Sequence, residues 1–325
     1  MKYSDIEYFE QFKNISFSYL YRNYDLCYLK AMHELNEDSG ADAIIVGSSH
    51  AMNGINEYEM PALGKAIQFS ISSQDLFYDY LHIKKAFENG KRPIKHCLIG
   101  MGYYMIYQDV SRSQLVKHLI PNIYMHIFGE EGKHNFPEAV IHDPLSAVEY
   151  NPNIYPSVLL GNWCQHWASC VIKEEGTYYN SLLSRAQANL LGVRKVKWSS
   201  LSDEQKLSYV HDRVVEGHNK HVKYTESLQE NTVIINEIAK FLNERNVTPV
   251  FFITPYTKCY NEHIYPGYKP EIFNILNELE YPVEFLDMND FQDEFSDDDF
   301  LDSDHLNDIG AKKATILLNS FIEQI

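Results

Sequence analysis

The chain has 325 residues, with 45 acidic against 28 basic side chains and a formal net charge of −17. A phosphate backbone or an anionic lipid surface repels such a surplus of carboxylates, so nucleic-acid binding and membrane docking are not expected. Hydrophobic residues make up 45% of the chain, which suits a buried core in one large domain or two ordinary ones and argues against disorder. The five cysteines (Cys27, Cys97, Cys164, Cys170, Cys259) are scattered and odd in number, which is no disulfide framework and fits a reducing compartment. The opening MKYSDIEYFEQF holds no apolar secretory core, and no uncharged run approaches the roughly 18 residues that span a bilayer. A cytoplasmic protein without membrane insertion is expected.

In chain order, residues 1–40 are rich in aromatic and charged residues and read as a helical segment leading into the domain. Residues 41–325 carry an alternating pattern. A short apolar strand, Ala43 to Val46, stops at Gly47, and Lys65–Ile71 reads as a second strand. A helix follows, with Ser72 or Ser73 as N-cap, Leu76, Tyr80, Ile83 and Phe87 at helical spacing, and Gly90 as its stop. His96–Gly100 is a third strand. Downstream, TVIINEIAKFLNERN, PEIFNILNELE and HLNDIGAKKATILLNSFIEQ read as helices, and Thr248–Pro255 and Val283–Met288 as strands. Short apolar strands alternating with amphipathic helices predict a parallel sheet of five strands covered on both faces, a three-layer α/β/α domain. Residues 105–225 interrupt the rhythm with Trp163, Trp167, Trp198 and many His and Tyr. They read as a largely helical insertion, either a lid or substrate subdomain or a packing element. The acidic run EFSDDDF (Glu294–Phe300) reads as a solvated loop.

Two stretches carry chemistry. In IIVGSSHAMNGI, Ser48 and Ser49 follow a buried strand and open a helix. A hydroxyl there stands at the carboxyl edge of the sheet, near the free N–H groups of a helix start, though a serine there also serves as a plain cap. In FLDSDHLNDIGAKKA, Asp302 precedes His305 by three residues, just ahead of the last helix. A serine nucleophile needs a histidine base, and the histidine needs a carboxylate that fixes its tautomer. The plainer reading makes Asp302 or Asp304 the cap of the last helix. If the last strand lies near the first, His305 reaches Ser49. His50 and Asn53 sit beside Ser49 as substrate contacts or local packing, and a helix turns the His50 side chain about 100° away from that of Ser49. His218 with His221, and Cys164, His166 and Cys170, lack the paired spacing of a zinc site. No phosphate-binding or dinucleotide-binding glycine loop is present, so neither metal nor cofactor is expected.

Gly47-Ser48-Ser49 near the start of the domain and Asp302-Ser303-Asp304-His305 near its end resemble the SGNH (GDSL-like) hydrolases. The following Asn53-Gly54-Ile55 and the ITPYT of the fourth strand resemble a divergent branch found with bacterial capsule and exopolysaccharide genes. The resemblance implies a flavodoxin-like fold, with Ser49 as nucleophile, His305 as general base and Asp302 as its orienter. It also implies oxyanion donors after the second and third strands. This chain has Ser48 where the family has aspartate, Ser70-Ile71-Ser72-Ser73-Gln74 where the family has its oxyanion glycine, and Gly100-Met101-Gly102-Tyr103-Tyr104 where it has an asparagine. The candidate donors are therefore the N–H groups of Ser49, Ser72, Ser73 and Gly102, with Gln74, Tyr103 and Tyr104 placed to touch substrate. The expected activity is hydrolysis of an acyl ester, such as an O-acetyl group on a saccharide. The alternatives are acyl transfer to a glycan precursor, or a non-catalytic glycan-binding protein on the same frame.

Overall fold

The computed structural model describes residues 40–141 and 198–325, together with Leu35. The expected N-terminal helices, and Cys164, His166, Trp163, Trp167 and Cys170 of the insertion, lie outside the described residues. Five short apolar runs form one sheet: β1 (Ala43–Gly47), β2 (Ala66–Gln68), β3 (His96–Met101), β4 (Pro249–Ile253) and β5 (Glu284–Asp287). All neighbours pair in parallel, in the order β2-β1-β3-β4-β5, which is the flavodoxin-like order. Parallel strands need crossovers, and the crossovers carry helices onto both faces. Every residue of β1 and β4 is accordingly buried. Phe251 and Phe252 point to opposite faces and are both fully buried, each contributing roughly 2–3 kcal/mol of apolar burial. The second strand is shorter than its sequence pattern, although Phe69 and Ile71 still donate their N–H groups to Ile45 and Gly47 at 2.7 and 3.1 Å.

The main α-helices among the described residues are α1 (Ser49–Gly54), α2 (Leu76–Asn89), α3 (Asp203–Val210), α4 (Thr225–Asn243), α5 (Tyr268–Asn277) and α6 (Asp308–Ile322). α1 packs with α6 on one face and α2 with α4 on the other. α1 lies close to the sheet because two glycines face it. Gly47 has φ +145°, and a Cβ there would stand 2.6 Å from the Gly100 carbonyl oxygen; a Cβ on Gly100 would meet the Ala51 side chain at 2.5 Å. The N-cap of α2 is Asp75, which accepts from the Tyr78 N–H, rather than Ser72 or Ser73. The reason is that Ser72 and Ser73 sit in a turn closed by the Gln74 N–H on the Ile71 carbonyl.

Within 105–225, the described residues form short helical turns and α3, and none is in a strand. The acidic run after β5 is more tied down than a solvated loop. Asp297 accepts from Trp198 Nε1 at 3.0 Å and from Lys206 Nζ at 2.7 Å, and the buried Asp299 pairs with Lys313 of α6 at 2.7 Å. No described helix is long and apolar enough to cross a membrane.

Candidate functional site

The site lies at the carboxyl ends of β1 and β3, where the strand order reverses and open α/β sheets gather ligands. β1 ends in Gly47, the chain turns through Ser48, and Ser49 is the first residue of α1. Ser48 occupies the cap position, yet its side chain caps nothing, which leaves the plain capping role of these serines unfilled. Ser49 Oγ instead lies 2.8 Å from His305 Nε2. His305 Nδ1 lies 3.0 Å from both oxygens of Asp302. A carboxylate facing Nδ1 keeps the proton on that nitrogen, so Nε2 accepts from the serine hydroxyl. Asp302 Oδ1 also accepts the backbone N–H groups of Asp304 and His305 at 3.0 and 2.9 Å. This local turn holds the carboxylate and explains why a spacing of three residues brings it to the ring. Neither Asp302 nor Asp304 caps α6; Asn307 does, accepting from Ile309 and Gly310.

The last strand does not lie near the first, because β3 and β4 stand between β5 and β1. His305 reaches Ser49 because the segment after β5 returns across the sheet edge. It is pinned there by Thr257, whose N–H and hydroxyl both donate to the Ser303 carbonyl, at 3.1 and 2.9 Å. α6 then docks beside α1, with Thr315 accepting the Asn56 N–H and Asn319 the Ala62 N–H.

A second histidine–carboxylate pair lies behind the first. His50 Nε2 donates to Asp304 Oδ2 at 3.0 Å, and Ser48 Oγ donates to His50 Nδ1 at 3.3 Å. The rings of His50 and His305 stack with centroids 4.8 Å apart and planes 14° apart. Asp304 has no exposed side-chain surface. It accepts from Arg213 through Nε (3.0 and 3.1 Å) and Nη2 (2.8 Å), and from Ser303 Oγ at 2.9 Å. Arg213 belongs to the insertion, so the insertion grips the loop that carries His305.

The electrostatics follow from these contacts. Burial lowers the His50 pKa and outweighs its bond to Asp304, so this imidazole stays neutral. Burial also works against a charged His305, but the carboxylates of Asp302 and Asp304 outweigh it and hold the ring above its ordinary value. Burial raises the Asp304 carboxyl; Arg213, His305 and His50 together override it and keep it well below the usual range.

Ser49 and His305 open into a cavity of about 600 Å³ that Ser72, Ser73, Tyr104 and Gln108 also line. The Ser49 N–H, at the first position of α1, has no intrahelical partner, and the N–H groups of Ser72 and Ser73 bond to no other described residue. Ser73 has φ +64°, a left-handed conformation that glycine adopts more easily. Its carbonyl accepts from Gln108 Nε2 at 3.1 Å, which fixes the turn. Tyr104 stacks on His218 at 3.8 Å in the cavity wall.

The structure takes other candidates away from the cavity. The Gly102 N–H donates to Met105 Sδ at 3.0 Å. The Tyr103 hydroxyl donates to Asp287 at 2.6 Å. The buried Gln74 amide donates to Asp79 at 2.7 Å and to backbone carbonyls. Asn53 Nδ2 turns back onto the Ser49 carbonyl at 2.8 Å, and His50 is buried beneath His305 rather than exposed in the wall. Sequence reasoning missed Arg213 and Gln108, which carry no local motif, and it read Asp304 as a capping candidate. Two groups of three metal-ligand types occur among the described residues: His50, Asp304 and His305; and Asp109, His134 and Glu230. In the first, Asp304 is already held by Arg213. In the second, the Asn135 amide donates to both carboxylates. The chain matches no protein-family model and no curated protein.

Proposed function

We propose that this protein is a serine esterase of the SGNH type acting on an acyl ester of a saccharide. The observation that carries the reading is the continuous hydrogen-bonded line from Ser49 Oγ through His305 to Asp302, with every step at 2.8–3.0 Å, the reach that general-base activation of a hydroxyl requires. Ser49 Oγ attacks the acyl carbonyl while His305 Nε2 takes its proton. The imidazolium formed is stabilised by Asp302, and by Asp304 beyond it. The N–H groups of Ser49, Ser72 and Ser73 are the donors available to the oxyanion, and such donors are worth about 2.7–4 kcal/mol each. Collapse breaks the ester bond, and His305 returns the proton to the leaving alcohol. Water, deprotonated by His305, then releases the acid from Ser49.

The polar wall of serines, tyrosine and Gln108 supports a sugar-like alcohol. The Gly47-Ser48-Ser49 and Asp302…His305 pattern and the flavodoxin-like strand order support the SGNH placement. The free thiols of Cys97 and Cys259 support a cytoplasmic location. The test is labelling by a fluorophosphonate, which captures activated serines. Wild type should label, and Ser49→Ala and His305→Ala should not. Wild-type protein that resists labelling between pH 6 and 9, or Ser49→Ala protein that labels equally, refutes the assignment.

A further inference from the structure

The cavity beside Ser49 departs from the charge of the rest of the chain. The chain carries 45 acidic against 28 basic residues, but the ionisable wall of this cavity holds Arg112, Arg213, Lys220 and Lys223 against a single carboxylate, Asp109. Arg112 is already engaged, by Glu226 at 2.7 Å and by Asp109 at 3.5 Å. Arg213 is paired with Asp304 through part of its fork, and Lys220 and Lys223 are paired with no described carboxylate. Arg213 gives Nε and Nη2 to Asp304 and keeps Nη1 without a partner among the described residues. Lys220 and Lys223 lie three residues apart on the turn Asn219–Lys223 and have no carboxylate partner among the described residues; Lys223 only rests over the Tyr224 ring at 5.0 Å. His221 between them is driven down to about 4 by burial and then by the two lysines. It therefore adds no charge of its own at neutral pH.

The unpaired ammonium groups of Lys220 and Lys223 on a concave wall repel one another, and the low-dielectric wall focuses their field into the cavity. A neutral sugar ester accepts hydrogen bonds from them but leaves their charge uncompensated. We propose that the cavity takes an anionic substrate, an ester whose saccharide carries a carboxylate or a phosphate, seated against Arg213 Nη1, Lys220 and Lys223. This rests on the esterase reading for the word ester and on the charge of the cavity alone for the word anionic.

The experiment separates the two. Acetylated trigalacturonate (anionic) and acetylated xylotriose (neutral) are offered to wild type and to Lys220→Glu/Lys223→Glu, with Lys220→Gln/Lys223→Gln as a milder pair. In wild type, kcat/KM should favour the anionic ester by about tenfold or more, less so at high salt, and the charge reversal should cut that preference by about tenfold or more. Thermal melting confirms that each variant is folded. In the second arm, Ser49→Ala protein is titrated calorimetrically with trigalacturonate, a trisaccharide phosphate and xylotriose, which requires neither turnover nor a lysine change. Tighter binding of either anion than of xylotriose supports the inference, even if neither ester is hydrolysed and the esterase reading fails. Equal binding of all three, or an ester preference that survives charge reversal in folded protein, overturns it.

Discussion

Arg213→Met offers a demanding test of the site, because it removes one charge whose loss is felt in both stability and reactivity. Asp304 has no exposed side-chain surface and receives three close contacts from the guanidinium at 2.8–3.1 Å. Removing one partner of a buried pair costs about 3–5 kcal/mol, because the other charge is left without compensation. The Arg213 side chain is 37% exposed, so solvent already screens part of the interaction. About 2–3 kcal/mol is the reasonable loss, which lowers the melting temperature of a 325-residue chain by about 3–4 °C. The reactivity follows from His305. It acts as a base only when neutral, and its pKa is set by burial against Asp302 and Asp304, with the Arg213 charge lowering it. Without Arg213 that pKa rises, so the acid limb of fluorophosphonate labelling moves to higher pH. Melting curves and the pH dependence of labelling rate measure the two effects. A variant that melts with wild type and labels along the same pH curve would show that Arg213 neither neutralises Asp304 nor acts on His305.

Two other outcomes follow from burial and backbone geometry. The Asp75 carboxyl is pushed up to about 7 by burial and by the neighbouring Asp109, so the folded chain holds a proton that the unfolded chain releases. Stability should therefore fall as pH rises from about 4 to about 7, by at most about 1.4 kcal/mol per unit of pH from this group. Urea midpoints across that window should lose part of their slope in Asp75→Asn, the buried Asp79 carboxyl being raised as well, and should keep all of it if Asp75 titrates normally. Gly47→Ala places a Cβ 2.6 Å from the Gly100 carbonyl oxygen at φ +145°. It should cost about 3 kcal/mol or more by urea unfolding, and a midpoint close to wild type would contradict the close approach of α1 to the sheet.

The five strands were legible because each is a short apolar run closed by a glycine, a proline or a polar turn, as in Ala43–Gly47 and His96–Met101. The Asp302–His305 contact was legible because it lies within one turn of backbone. The capping residues were less so. Asp75 and Asn307 cap their helices where nearby Ser72, Ser73, Asp302 and Asp304 offered equally good chemistry, and only the direction of the incoming chain separates such choices. Likewise Gly102, Tyr103 and Gln74 stand in segments that lead to the site, but their polar groups are claimed by Met105, Asp287 and Asp79.

By itself, the sequence determined the layers of the fold and the types of residue available for chemistry, since helical and strand periodicity and short-range hydrogen bonding are written in windows of a few residues. Only the tertiary structure decided that His305 meets Ser49 across 256 residues of chain, by a segment that crosses back over β4 and not by adjacency of the first and last strands. It alone placed Arg213 on Asp304, stacked His50 beneath His305, and put Lys220 and Lys223 on the wall of an otherwise acidic protein's cavity. Those juxtapositions depend on how helices dock and where charges find partners, which is settled by packing of the whole chain and leaves no local pattern in the sequence.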